Sequence, residues 1–170
     1  MLINYNVVSQ VKRRPKAFTK LLRIVLVTGA ILNVIMGVAF DRGFMLTSLL
    51  FAALYMIYDI QSVTEYEYML EGGHFRVDRI KGYRYRKAVQ FIKVEDIIVI
   101  APPDDKAVAA YKKNGTEKVK KYDYTSYEPG VVYYTMIAKE GDEKIKLLLD
   151  LNDQMLETFR RIDSRKVILY

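Results

Sequence analysis

Two uncharged apolar runs, separated only by Asp41-Arg42-Gly43, constrain this chain more than any other feature. Ile24–Phe40 has 17 residues without a charge and Phe44–Tyr58 has 15. As helices they reach roughly 26 and 22 Å, against a bilayer hydrocarbon core of about 30 Å. Their flanks lengthen both: Lys20 and Arg23 can carry their charges outward along Ala17–Arg23, and Asp59–Val63 ends at the interface. The pattern predicts a transmembrane helical hairpin with spans over about 20–40 and 44–61. The hairpin and a basic N-terminus make up residues 1–63, and 64–170 form a separate unit.

A water-soluble alternative must bury both helices on every face, because a helix apolar all round has no side to give to water. Only the 107 residues after Val63 could do this, and their apolar side chains are needed for their own core. A cleaved secretory signal fits less well. Val38-Ala39-Phe40 is not a small-x-small site, and another apolar run follows it.

Charge sets the expected orientation. Lys12, Arg13, Arg14, Lys16, Lys20 and Arg23 precede the first run, whereas the turn carries Arg42 balanced by Asp41. The positive-inside rule then places both termini in the cytoplasm and the tight turn outside, in an inner (plasma) membrane. The same basic residues suit an anionic leaflet, although fixing topology is sufficient reason for them. Residues 1–63 hold 7 basic and 2 acidic groups, and 64–170 hold 20 and 18, so the net charge of +7 belongs mostly to the membrane flank. That distribution argues against a nucleic-acid partner. There is no cysteine, hence no disulfide framework and no thiolate metal site.

Within the first run Gly29, Asn33 and Gly37 recur every four residues and share a face. Small residues at that spacing allow close helix approach, and a mid-span Asn seeks a polar partner. Counting from the turn sets Asn33 level with Phe51, where Ser48 or Ala52 can face it. Span-on-span packing within the chain, a homodimer seam and a site for another membrane protein all remain open for this face.

Before the hairpin, Met1–Val11 reads as a short interfacial segment. After it the period changes from helical to two. Tyr66, Tyr68 and Leu70 alternate with Glu65, Glu67 and Glu71; Gly72-Gly73 turns the chain; Phe75 and Val77 then alternate with Arg76 and Asp78. This predicts a hairpin of strands. A third strand over Tyr83–Lys93 puts Tyr83, Tyr85, Val89 and Phe91 on its core face and Arg84 and Arg86 on its solvated face. Val94–Ile100 reads as strand or one helical turn, and Lys106–Thr116 as short helix or loop. Val119–Tyr124 is a strand, and Val131–Lys139 with Lys144–Leu149 a second hairpin around Gly141-Asp142. Asn152 is a candidate N-cap for a closing helix with Met155, Leu156, Phe159 and Ile162 on one side. The layout is α+β, a run of antiparallel strands and then one amphipathic helix.

Glu65-Tyr66-Glu67-Tyr68, Arg84–Arg86 with Lys87, Lys121-Tyr122-Asp123-Tyr124-Thr125-Ser126 and Arg165-Lys166-Val167-Ile168 carry a resemblance. In these and in its layout the chain is similar to an uncharacterised bacterial family of small two-span membrane proteins. That family has a C-terminal pleckstrin-homology-like (PH-like) domain. The resemblance implies a bent antiparallel sheet capped by one C-terminal helix, and it supplies no catalytic residues. Seven strands are expected of that fold; the pattern supports five or six and leaves 94–120 unassigned.

Candidate chemistry is sparse. His74 is the sole histidine and abuts a glycine turn; Glu95-Asp96 and Asp104-Asp105 are sequence neighbours whose side chains splay apart. No phosphate loop, dinucleotide fingerprint or nucleophile elbow occurs. The expectation is therefore a non-enzymatic, membrane-anchored scaffold without a cofactor or metal. Its cytoplasmic domain would bind a protein partner or anionic lipid, or a second copy of the chain. The alternative is an accessory subunit of a transporter or membrane enzyme, docked through the hairpin. Candidate contacts are Lys12, Arg13, Arg14, Lys16, Arg84, Arg86, Lys120 and Lys121.

Overall fold

Of the N-terminal segment, residues 1–5 lie outside the described residues, and Asn6–Lys12 is a strand, β1, with Val7 buried and its neighbours Asn6 and Val8 exposed. Its alternation is short, and its partner lies beyond the hairpin, so a local reading of the sequence misses it. The computed structural model describes residues 6–15, 17–82, 84–111 and 119–169. Two helices follow β1: α1, Ala17–Ala39, and α2, Gly43–Ser62. At 23 and 20 residues they reach roughly 34 and 30 Å, so the flanks do complete the lengths the apolar runs lacked.

The described residues up to Arg13, with Glu65–Arg79 and Arg86 onward, form one compact unit, here the β unit. Arg14–Thr64 with Ile80–Tyr85 form the other, the hairpin unit. In the hairpin only Gly37 and Ser48 are buried, while large apolar side chains from Phe18 to Ile60 stand exposed. Both helices are long and apolar enough to cross a membrane and are compatible with insertion. Arg23 ties their open ends together through Asp59 at 2.8 Å and Ser62 at 2.7 Å.

Among the described residues seven strands come after the hairpin: β2 Thr64–Glu71, β3 His74–Lys81, β4 Tyr85–Lys93, β5 Ile97–Ala101, β6 Lys120–Asp123, β7 Tyr134–Glu140 and β8 Glu143–Leu149. With β1 they form two four-stranded sheets, in the orders β1-β2-β3-β4 and β5-β7-β8-β6. Pairing is antiparallel between β1 and β2, β5 and β7, and β7 and β8, while β6 runs parallel to β8. Glycine makes the turns possible, with φ of 56° and 79° at Gly72 and Gly73.

The open stretch 94–120 resolves into one 3-10 turn, Val94–Asp96, then β5, so both readings of Val94–Ile100 hold in succession. A second 3-10 segment, Lys106–Tyr111, lays Val108 on Val99, Ala101 and Ile137, covering the far side of the second sheet. The rest of that ambiguous stretch falls outside the described residues.

The main core draws Tyr68, Leu70, Phe75, Val77, Ile92, Ile100, Met136 and Leu147 from both sheets. It is closed by Met155, Leu156 and Phe159 of α3, Asp153–Ile162. Asn152 caps this helix, its Oδ1 accepting from the Met155 N–H at 2.9 Å. Ile162, expected on the inner face, is exposed. On β4 the expected core face holds at Val89, which packs against the core, and fails at Tyr85 and Phe91, while Tyr83 lies outside the described residues. Gln90 and Ile92 are buried, whereas Tyr85 and Phe91 are 64% and 62% exposed. Gln90 is drawn inward by polar partners, accepting from the Tyr124 hydroxyl and donating to Glu140.

Candidate functional site

The small and polar residues of the spans meet inside the hairpin. A Cβ on Gly29 would come within 2.8 Å of the Phe51 ring, and one on Gly37 within 2.7 Å of Met45 Cγ. The Asn33 amide donates to the Gly29 carbonyl at 2.8 Å and its Oδ1 accepts from the Thr47 hydroxyl at 2.6 Å. The Ser48 hydroxyl donates to the Ala30 carbonyl at 2.9 Å. Ala52 is exposed and joins none of these contacts. Asn33 therefore lies level with Thr47 rather than Phe51. α1 ends at Ala39 and α2 begins at Gly43, so the reversal occupies residues 40–42, one residue earlier than the Asp41–Gly43 count.

The basic candidates divide into engaged and unengaged residues. Arg13, in the β unit, is the most engaged. Its Nε donates to the Thr125 carbonyl at 3.0 Å, and its Nη2 to the Asp123 carbonyl at 2.5 Å and to Asp123 Oδ1 at 3.2 Å. The guanidinium also lies 4.8 Å from the Tyr66 ring centre and 4.5 Å from that of Tyr127. Tyr127 holds a positive φ of 58°, a costly conformation for a bulky residue, and its hydroxyl donates to Asp123 Oδ2 at 3.2 Å. Arg13 is thus a clamp inside the β unit and not a free contact.

Arg86 is likewise committed, to Glu67 at 2.7 Å and Asp78 at 3.7 Å. Arg76 adds a bidentate pair to Asp78, at 2.6 and 2.7 Å, and Gln10 donates to Glu67 at 2.9 Å. Two carboxylates on the outer side of the first sheet are buried beneath the arms of two arginines, Asp78 fully and Glu67 nearly so. Lys12 faces Glu65 at 3.8 Å, and Lys120 faces Glu143 at 2.6 Å. Arg14, Arg84 and Lys121 are exposed, and Lys16 lies outside the described residues.

Two clefts open on the β unit. One, of about 570 Å³, is lined by His74, Lys93, Glu95, Asp163 and Lys166. Lys166 Nζ closes its wall by donating to the Val94 and Glu95 carbonyls at 3.2 and 2.8 Å. His74 stacks on Phe91 with ring centres 4.9 Å apart. The other cleft, of about 450 Å³, is bounded by Lys121, Tyr127, Pro129, Val131, Tyr133 and Asp150. Asp150 accepts from the Ser126 N–H at 2.7 Å and so shapes its floor. Beneath it, burial pushes the Tyr124 phenol up to about 12 and also raises Tyr68, whose hydroxyl donates to the Tyr124 carbonyl at 2.8 Å. These phenols stay neutral at physiological pH and act as structural donors. Among the described residues no three His, Asp or Glu side chains gather in a way that could hold a metal ion.

Sequence reasoning missed the Arg13 clamp, the Thr47 partner and the buried carboxylates. The Thr47-Ser48 pair was a legible signal, since hydroxyls in an otherwise apolar run ask for acceptors. The Arg13–Asp123 pair was not, because 110 residues separate its members.

Two sheets closed by a C-terminal helix, carrying clefts lined by mixed charge, define a PH-like β unit on a chain that also bears two apolar helices. The family model of the Bacterial PH-like domain (DUF6106) matches residues 7–169, and the chain belongs to that family. No curated protein and no solved structure matches it.

Proposed function

We propose that this protein is a non-enzymatic scaffold held in the inner membrane by its hairpin, with its PH-like unit on the cytoplasmic side as the C-terminal binding module. The occupant of that module is a protein partner, bound at the cleft between Lys121 and Tyr133. One observation carries the reading. The hairpin turns Gly29 onto Phe51 and Asn33 onto Thr47, and apart from Thr28, Thr47 and the residues at its ends the side chains exposed along its spans are apolar. The β unit keeps an open cleft beside exposed Tyr127, Val131, Val132 and Tyr133. Anchoring in the same membrane raises the effective concentration of any partner there.

The accessory-subunit reading needs a docking face on the hairpin, and the face formed by Gly29, Asn33 and Gly37 is already covered by α2. A photo-reactive side chain in intact membranes separates the two. From Tyr133 it should cross-link one discrete protein, and from Leu49 only lipid. A discrete protein from Leu49 and none from Tyr133 would reverse the assignment.

A further inference from the structure

The loop between β3 and β4 folds onto the foot of the hairpin. The Gly82 N–H donates to the Val63 carbonyl at 3.2 Å, and Val63 is the residue that ends α2. Gly82 has φ of 57°, and a Cβ there would sit 2.8 Å from the Ile60 carbonyl oxygen. Glycine alone permits so close an approach in that conformation. Ile80–Tyr85 accordingly belong to the same compact unit as both helices.

This foot is strongly basic. Lys81 and Arg84 of the loop and Arg14 and Lys20 at the start of α1 are all exposed. The pairing of Arg23 with Asp59 brings the start of α1 to the end of α2, so these four charges ring one end of the hairpin. Asp59 is the acidic residue of the hairpin unit at that end, and Arg23 already neutralises it. Tyr85 stands 64% exposed beside them.

We infer that the β3–β4 loop is a lipid-headgroup clasp: Lys81 and Arg84, with Arg14 and Lys20, bind the phosphates of anionic phospholipids where α2 leaves the hydrocarbon. The inference rests on the reading of the hairpin as membrane-spanning. A backbone group bonded to the residue that caps a spanning helix lies at headgroup depth, and cations there meet the negative inner-leaflet surface. Tyrosine is favoured at the same depth, its ring apolar and its hydroxyl wet. The clasp shares no residue with the cleft assigned to the protein partner.

The full chain contains no cysteine, so a fluorophore on Tyr85→Cys is a single reporter in proteoliposomes. The probe is phosphatidylglycerol bearing a headgroup nitroxide, compared with phosphatidylcholine bearing the same group. The labelled chain should be quenched by both lipids and should prefer phosphatidylglycerol. Lys81→Gln with Arg84→Gln should lower that preference on the order of 25-fold, at roughly fivefold for each charge near an anionic surface. No quenching by either lipid, or an unchanged preference in the double variant, overturns the clasp. Carbonate washing of the same proteoliposomes keeps the two claims apart. Release of the chain overturns the spanning reading, and retention without quenching overturns only the clasp.

Discussion

In the hairpin, Val38 and Leu46 face outward at 75% and 73% exposure while Gly37 and Ser48 are buried. In the β unit, Phe75 and Leu147 are fully buried while Lys120 and Glu143 stand outside. The two regions invert the same rule, which is what the proposed insertion of the hairpin in lipid requires. Where water surrounds a fold, burying large apolar side chains drives it. Where lipid surrounds it, that drive between helices vanishes, and close backbone approach with internal hydrogen bonds takes over. Gly29 and Asn33 matter in the hairpin for the reason that Phe75 matters in the β unit: each supplies the contact its own solvent leaves to the protein.

The largest expected effect tests this contrast directly. Phe75→Ala should cost the β unit about 3–5 kcal/mol, as for an aromatic truncated in a packed core. Leu46→Ala in the hairpin should cost almost nothing, because lipid fills the space it leaves. Denaturant unfolding of the β unit and steric trapping of the hairpin measure both. Comparable losses would mean that the helices are packed in water after all.

Next in size is the Arg13 clamp. Arg13→Ala should destabilise the β unit by about 2–3 kcal/mol, the worth of charged hydrogen bonds to the Asp123–Thr125 segment. Arg13→Lys should recover only part of it, because an ammonium cannot reproduce the planar fork between two tyrosine rings. Thermal melts of the three proteins in one detergent read the series. Full recovery by lysine would reduce the clamp to a point charge.

The smallest effect sharpens the hairpin side. Asn33→Leu combined with Thr47→Val removes both ends of one interhelical bond and should cost only about 0.6 kcal/mol by steric trapping. Gly37→Leu at the same interface should be far more disruptive, since its side chain has to displace Met45. A polar loss that exceeds the steric one would overturn the view that close approach holds the spans together.

Much of this architecture was legible because period and charge are local properties. The spans, the Gly72-Gly73 turn, the inward set Tyr66, Tyr68 and Leu70, and the Asn152 cap follow from residues a few positions apart. What escaped depends on distant partners. β1 has an ordinary alternating sequence and becomes a strand because β2, across the whole hairpin, pairs with it from Asn6↔Glu71 to Lys12↔Glu65. Alternation on β4 misassigned Phe91 because Gln90 turns inward and finds polar partners on the buried Tyr124 and on Glu140. The basic residues were the least legible. Their numbers were plain, but only the fold separates Arg13 and Arg86, engaged within the β unit, from Arg14 and Arg84, which stand exposed.

Single-cysteine accessibility in intact cells tests the central claim, that lipid surrounds the hairpin and the β unit lies on its cytoplasmic side. With a membrane-impermeant maleimide, Arg42→Cys in the outer turn should react at once, and Asp142→Cys in the β7–β8 turn only after the inner membrane is opened. Reaction of both from the same side, or of neither until the cells are lysed into a membrane-free soluble fraction, would contradict it.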